Sequence, residues 1–232
     1  MKTLFDCRCY LMGLLSVIVT SAAIAAPPFA LDGALLVHQN AREKKPQVTS
    51  PAGLTPTKTD AAYGPHERNV LDFYKADSAT PTPLIIFIHG GGFVVGDKKG
   101  ISPAFVKASL AAGISVASIN YRFVNGKDLI FPLPQHDGAR AVQFLRSQSK
   151  AWNIDPHRVA CYGGSAGAGI SMWIGFHDDL ADPKNSDPVL RESTRIQAIG
   201  TFGGQGTYDP IQIKELIGGR AWEHPSLLKV YG

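Results

Sequence analysis

The chain has 232 residues, of which 44% are hydrophobic and 18% are charged, and its formal net charge is +4 at pH 7. This length accommodates one sizeable domain and is short for two, and the ordinary composition excludes a disordered or fibrous chain. The Lys and Arg residues are scattered and form no basic stripe with interleaved aromatic residues, so we expect no nucleic-acid partner.

The first 25 residues have the pattern of an export signal. A weakly basic start precedes an apolar run over residues 11–23, and Ala-Ile-Ala at residues 23–25 supplies the small residues that a signal peptidase reads. The run is shorter than the ~20 residues that span a bilayer, which favours cleavage over a membrane anchor. We therefore predict a signal peptide over residues 1–25, a secreted or periplasmic mature chain beginning at Ala26, and no stable membrane association after cleavage.

The cysteines indicate neither an internal disulfide nor a metal site in the mature chain. Cleavage would remove Cys7 and Cys9, leaving Cys161 as a single cysteine at the end of an apolar run, where a small buried core residue is expected. No zinc-type spacing is present, and we expect neither a metal nor an organic cofactor.

Residues 26–64 are rich in Pro, Thr, Ala and Lys without helix or strand periodicity, which predicts an extended N-terminal arm.

From residue 65 onward, strand and helix patterns alternate. The predicted strands are residues 69–75, 84–88, 114–121, 158–162 and 195–202; the predicted helices are 102–112, 133–149 and 166–180, with a turn at Asp155-Pro156. The run 84–88 is continuously apolar, as in a strand that is buried on both faces. The alternation predicts an α/β fold with a mostly parallel sheet and helices on both faces.

The strongest chemical signal is Gly163-Gly164-Ser165-Ala166-Gly167, between a predicted strand and a predicted helix. This is the pattern of a nucleophile elbow, in which small neighbours permit a strained backbone at the serine. The helix that begins after Ser165 would place free N–H groups and the positive end of its dipole beside an oxygen that becomes negative. Alone, the motif leaves open a glycine-rich turn with an incidental serine.

A second motif, His89-Gly90-Gly91-Gly92-Phe93, directly follows the predicted strand 84–88. Three consecutive glycines let the main chain approach a substrate closely, and the amides of such a loop can stabilise the oxyanion of a tetrahedral intermediate. A phosphate-binding loop is disfavoured, because the Lys-Ser/Thr ending of a P-loop and a G-x-G-x-x-G opening a helix are both missing.

In this order and at this spacing, the two motifs resemble the hormone-sensitive-lipase-like branch of α/β-hydrolase esterases. The resemblance runs over residues 69–206 and includes Asn120-Tyr121-Arg122 and the segment 155–159, Asp-Pro-His-Arg-Val. Gly164 is a departure, since that branch often has an acidic residue before the serine. The resemblance implies the α/β-hydrolase fold and a carboxylesterase that hydrolyses small or short-chain esters through an acyl-enzyme.

Residue roles follow from the same resemblance. It implies that Ser165 is the nucleophile and that the amides of Gly91, Gly92 and Ala166 form the oxyanion hole. It also implies that His89 supports the loop and is not the base. His136-Asp137 looks like a catalytic pair, but Asp137 lies at the start of a predicted helix, where the dipole favours an acidic residue, so we expect a structural role.

The acid and histidine of a catalytic triad follow the serine in the chain order of this fold. Two further strand–helix units of roughly 30 residues each would normally contain them, and the residues after Ser165 are too few for both. Asp209 and His224 are the candidates left in the correct order, and both are disfavoured. We therefore expect residues 65–232 to be an incomplete catalytic domain that lacks its C-terminal strands and the triad Asp and His.

Two alternatives to the esterase stay open. One is an amidase or peptidase on the same fold, and the other is a non-catalytic binding protein that keeps the fold without a triad. For the enzyme, the expected partner is a small-molecule ester substrate. The sequence indicates no oligomeric state.

Overall fold

The computed structural model describes residues 54–204, 206–207 and 209–218 as a sheet with flanking helices. The strands are β1 Lys58–Ala62, β2 Val70–Tyr74, β3 Thr82–Ile88, β4 Ser115–Ile119, β5 Ile154–Gly164 and β6 Ala198–Phe202. The helices are α1 Pro103–Ala111, α2 Leu133–Ser147, α3 Ser149–Trp152, α4 Ala166–Phe176 and α5 Pro210–Ile217, with 3₁₀ turns at Lys98–Gly100 and Pro188–Arg191. The predicted signal peptide, most of the predicted arm, and His224 lie outside the described residues.

The six strands form one sheet in the order β1-β2-β4-β3-β5-β6. Strands β4, β3, β5 and β6 run parallel to one another, whereas β1 pairs antiparallel with β2 and β2 pairs antiparallel with β4. The prediction of a mostly parallel sheet is therefore confirmed. Because parallel strands begin at one edge and end at the other, residues that follow β3, β4, β5 and β6 meet at one edge of the sheet.

Helices cover both faces of this sheet. On one face Ile86 of β3 belongs to a buried cluster with Val142 of α2 and Ile170 of α4. On the other face Val116 of β4 packs in a second cluster with Val106 of α1. Since neighbouring strand residues point to opposite faces, the two clusters are two separate layers, and the predicted helix–sheet–helix arrangement is confirmed. No helix among the described residues combines the length and apolar character that a membrane span requires.

Cys161 lies in the centre of the sheet, with no exposed surface. Burial raises the pKa of its thiol to about 12, because the surroundings disfavour a thiolate. The expected buried core cysteine is confirmed.

Strand β1 was not predicted, because its residues lie in the segment assigned to the arm. All but one of them are exposed, so the strand lacks the alternation of buried and exposed residues that reveals a strand in a sequence. Its attachment to the sheet includes a charge cluster. The ammonium of the buried Lys98 lies 2.9 Å from a carboxylate oxygen of Asp60 and 2.7 Å from one of Asp72, which joins β1, β2 and the first 3₁₀ turn.

The predicted turn at Asp155-Pro156 lies inside β5, so placing it between two elements was wrong. The pairing of β3 with β5 moves from Thr82 opposite Ile154 to Leu84 opposite Val159, which leaves residues 155–158 as an excursion within the strand. The carboxylate of Asp155 accepts the amide of His157 at 2.9 Å, a local bond typical of a turn. Turn chemistry is therefore present, but the strand continues through it.

The segment between α4 and β6 also differs from the prediction. Helix α4 ends at Phe176 and not at residue 180, and β6 begins at Ala198 and not at 195. Between them, Asp179 accepts hydrogen bonds from the hydroxyl of Ser193 and the amide of Thr194, and such side-chain bonds offer the backbone an alternative to a helix. Helix α5 was not predicted.

Candidate active site

Ser165 occupies the sharp junction between β5 and α4. Its φ of 51° and ψ of −121° are unusual for a residue with a side chain, and such strain persists where the surrounding structure enforces it. The amide of Ser165 donates to the carbonyl of Phe202 at the end of β6, and its carbonyl accepts the amide of Gly169, both at 3.0 Å. The elbow is thus fixed by the neighbouring strand on one side and by the helix on the other.

The glycines of the elbow are required by close approach to β3. A β-carbon at Gly163 would lie 2.6 Å from the carbonyl oxygen of Ile88, and one at Gly167 would lie 2.0 Å from the same oxygen. Both distances are far below van der Waals contact, and the obstructing atom belongs to the main chain. The sequence expectation that small neighbours permit this turn therefore has a specific cause, the end of β3.

The triple-glycine loop lies against this elbow. A β-carbon at Gly90 would lie 3.5 Å from the β-carbon of Ser165 and 2.9 Å from the carbonyl oxygen of Gly164. Gly91 has a φ of +116°, and its carbonyl accepts the amides of Val94 and Val95, each at 3.1 Å. The loop that follows β3 is thereby folded back on itself directly beside the serine.

Three amides were predicted as oxyanion donors, those of Gly91, Gly92 and Ala166. Across the part of the chain that the structure describes, none of the three donates a hydrogen bond to another residue. Gly91 and Gly92 belong to the loop beside Ser165, and Ala166 is the first residue of α4. These groups follow the adjacent strands β3 and β5, so they lie at the same edge of the sheet.

His89 supports the loop as a neutral ring. Its Nδ1 lies 2.7 Å from the carbonyl oxygen of Gly90; a carbonyl cannot donate, so Nδ1 has the proton and Nε2 is the acceptor. The ring stacks on Tyr121 with 4.3 Å between centroids. Burial and the charge of Arg68 together lower the pKa of His89 to about 4, against the opposing effects of the Gly90 carbonyl and Asp97. The ring is therefore a structural support at neutral pH.

Acidification is expected to destabilise the fold through His89. Its pKa is about 4 in the folded protein and 6.5 as an ordinary histidine, so between these values the unfolded chain binds a proton that the folded chain excludes. Stability then falls as the pH falls through this window, by at most about 3 kcal/mol at pH 4. Urea denaturation at pH 7, 5.5 and 4 measures the slope. His89→Gln should have a shallower slope than the wild type, and equal slopes would contradict the assignment.

Asp137 has the structural role expected from its position. Its side chain is almost fully buried and accepts the amide of Arg122 at 2.8 Å and the Arg122 guanidinium at 2.9 and 2.6 Å. The carboxylate thus fixes the segment after β4 to the start of α2. His136 is exposed beside it and packs near the ring of Trp173.

Two supporting residues were not identified from the sequence, Tyr121 and Arg68. The hydroxyl of Tyr121 donates to the carbonyl of His89 at 3.0 Å, and the guanidinium of Arg68 lies beside the ring of His89. Tyr121 belongs to the Asn120-Tyr121-Arg122 motif, which directly follows β4 and could have suggested a role at the edge of the sheet. No sequence signal distinguished Arg68 from an ordinary surface arginine.

The structure brings no triad partner to Ser165 within the described residues. No histidine or carboxylate among them hydrogen-bonds the hydroxyl of Ser165, and no three His, Cys, Asp or Glu side chains there form a group that could hold a metal. Asp209 caps α5 by accepting the amide of Ile211 at 2.8 Å. The acid and base of a triad are thus not assigned to described residues.

Comparisons with known proteins give a consistent set of relatives. A family model described as BD-FAE matches residues 71–216. A probable isoprenylcysteine alpha-carbonyl methylesterase of Arabidopsis thaliana is 30% identical over 155 residues, which cover 65% of this chain and 31% of that protein. The ethyl acetate hydrolase of Pseudomonas putida is 30% identical over 134 residues, which cover 55% of this chain and 42% of that protein.

Among solved structures, an acetyl ester-xyloside bifunctional hydrolase from Caldicellulosiruptor lactoaceticus is similar with a TM-score of 0.51. The two sequences are 35% identical over 57% of this chain and 47% of that one. The chain therefore spans less than half the length of each of these relatives. The names of all three state the hydrolysis of an ester.

Proposed function

Because the chain belongs to the BD-FAE family and shares its fold with α/β-hydrolase esterases, we propose that the protein is a serine carboxylesterase that forms an acyl-enzyme on Ser165. The predicted relationship to α/β-hydrolase esterases is confirmed by this match. The observation that supports the nucleophile most strongly is the backbone of Ser165, with φ 51° and ψ −121° at a strand-to-helix junction. Such strain concentrates at functional sites, and an elbow of this kind presents a serine hydroxyl to a substrate.

In the proposed reaction, the Ser165 oxygen attacks the carbonyl carbon of the ester while a general base removes the hydroxyl proton. The tetrahedral intermediate collapses, the carbon–oxygen bond to the alcohol breaks, and the proton passes to the departing alcohol. Water then attacks the acyl-enzyme, which releases the carboxylic acid and restores the serine. Proton transfer in both halves requires a histidine or an equivalent base.

The negative oxygen of the intermediate would be stabilised by the amides of Gly91, Gly92 and Ala166. Support comes from the loop that folds back beside Ser165 and from the absence of other hydrogen-bond acceptors for these amides among the described residues. The amino end of α4 adds the positive end of a helix dipole at the same place. Donors aimed at a developing charge usually give the largest single contribution to catalysis of acyl transfer.

Short acyl groups are the proposed substrate class. Support comes from two of the relatives, which are named for ethyl acetate and for acetyl esters. The alternative of an amidase or peptidase has no observation in its favour here. It is an outcome that the same assay distinguishes.

The test uses the full product of the gene that encodes this chain. We expect p-nitrophenyl acetate to be hydrolysed faster than p-nitrophenyl octanoate, and a p-nitroanilide of the same acyl group to react poorly. A fluorophosphonate probe should label the peptide that contains Ser165, as peptide mapping by mass spectrometry would reveal. Labelling elsewhere in the chain would reject the nucleophile, and faster cleavage of the anilide would replace the esterase with an amidase.

A further inference from the structure

Arg68, which precedes β2, reaches three separate segments at the edge of the sheet. Its Nε donates to the carbonyl of Tyr121 at 2.7 Å, and its Nη2 donates to the carbonyl of Gly96 at 3.2 Å. The same Nη2 lies 3.5 Å from Nε2 of His89. One guanidinium thus contacts both ends of the oxyanion loop, residues 89–96, and the segment that follows β4.

The two ends of the oxyanion loop are pressed together where Arg68 contacts them. A β-carbon at Gly96 would lie 2.3 Å from Nδ1 of His89 and 2.5 Å from the carbonyl oxygen of Gly90. The first and last residues of the loop are therefore in contact with each other, and the guanidinium of Arg68 contacts both of them. A change in the position of either end would move the amides between them, those of Gly91 and Gly92.

The guanidinium is itself held in place. Its central carbon lies 3.6 Å from the centroid of the Phe123 ring, a cation–π contact. Tyr121, whose carbonyl accepts Nε, donates its hydroxyl to the carbonyl of His89 and stacks on the imidazole. Arg68, Tyr121 and His89 therefore form a closed set of contacts, with a planar donor group at its centre.

The neutral state of His89 fits this arrangement. Since Nδ1 donates to Gly90, the lone pair on Nε2 faces the guanidinium, which has donors and no acceptor. The protonated ring would instead place a second positive charge beside Arg68. The negative charge of Asp97, which directly follows the loop, acts in the opposite direction and raises the pKa of His89.

We propose that Arg68 is a positioning residue for the oxyanion loop, acting through His89 and the carbonyl of Gly96 without contacting substrate. The planar guanidinium satisfies two carbonyls and an imidazole while stacking on an aromatic ring. Lysine has no fixed fork of donors and cannot reproduce this geometry. This inference rests on the proposed esterase function for its kinetic readout.

The kinetic experiment uses the full gene product with p-nitrophenyl acetate. Arg68→Ala should lower kcat by about 10²-fold with KM within about twofold of wild type, because the loop stabilises the transition state more than the bound ester. Arg68→Lys should show a similar loss. Added methylguanidinium should restore part of the kcat of Arg68→Ala and none of that of Arg68→Lys, in which the site stays filled.

Arg158→Ala is the matched control. Arg158 also pairs its Nε with an acceptor, Asp155 at 2.6 Å, and donates to a carbonyl, that of Pro81 at 3.1 Å. It lies near the amino ends of β3 and β5, at the opposite edge of the sheet from Ser165. We expect its kcat and KM to equal those of wild type, with and without methylguanidinium.

A second measurement does not depend on catalysis. NMR of the ring nitrogens should show His89 as the Nδ1–H tautomer at neutral pH. Its titration should move to higher pH in Arg68→Ala and stay in place in Arg158→Ala. A wild type that is inactive but shows this tautomer and these titration shifts would reject the esterase function and keep the positioning role of Arg68. Three results would each overturn the inference. With an active wild type, they are an unchanged kcat in folded Arg68→Ala and a failure of methylguanidinium to restore its kcat. The third is a His89 titration that does not move in Arg68→Ala.

Discussion

Replacing Ser165 with alanine is expected to lower kcat for ester hydrolysis by at least about 10⁴-fold. Without the hydroxyl oxygen no acyl-enzyme can form, and the remaining amide donors act only on a slow attack by water. The fold should be retained, because alanine is similar in size and the amide of residue 165 still donates to Phe202. Steady-state kinetics with p-nitrophenyl acetate and a thermal denaturation curve measure the two properties in parallel.

Ser147→Ala is the control for this substitution. The hydroxyl of Ser147 donates to the carbonyl of Phe144 in the last turn of α2, and the residue is not part of the proposed site. We expect its kcat to stay within twofold of wild type, and fluorophosphonate labelling to persist. If folded Ser165→Ala kept a tenth or more of the wild-type kcat, Ser165 would not be the nucleophile.

Replacing Gly167 with alanine is expected to damage both stability and activity. The added β-carbon would lie 2.0 Å from the carbonyl oxygen of Ile88 and 2.7 Å from its carbonyl carbon. The main chain of a strand that is paired on both sides cannot move aside as a flexible side chain can, so we expect a loss of about 3 kcal/mol or more. Separating β3 from the elbow would also move the loop away from Ser165, which should lower kcat by about 10²-fold.

Urea denaturation of Gly167→Ala and Gly100→Ala tests this expectation. Gly100 ends the first 3₁₀ turn, and a β-carbon there would have no atom within 4 Å. We expect Gly100→Ala to stay within about 0.5 kcal/mol of wild type. Equal stability of the two variants would mean that β3 and α4 are not in close contact at the elbow.

The elements that could be predicted from the sequence are those determined by a short run of neighbouring residues. The run that became β3 is continuously apolar because one face of the strand is buried and the other face is half-buried, and such a run can be recognised without knowing its partners. The elbow could be predicted for a similar reason. Gly163 and Gly167 both lie against one neighbouring carbonyl, that of Ile88, so a short motif contains most of the constraint.

Features that depend on distant partners could not be predicted. Strand β1 is mostly exposed, and its charge cluster joins Asp60 to Lys98, so no local periodicity reveals it. Arg68 contacts His89, Gly96 and Tyr121, which lie 21 to 53 residues further along the chain. An arginine in a connecting segment is normally solvated, and only the folded chain distinguishes this one.

The buried thiol of Cys161 makes the central sheet accessible to measurement by alkylation. Cys161 pairs with Ile86 in the middle of β5, and its raised pKa leaves almost no reactive thiolate in the closed state. A maleimide or iodoacetamide reagent therefore modifies molecules in which β5 has separated from its neighbours. When reclosing is fast, the modification rate equals the reaction rate of a free thiol multiplied by the open fraction. Peptide mapping of that one adduct thus reports the opening free energy of the strand that directly precedes Ser165.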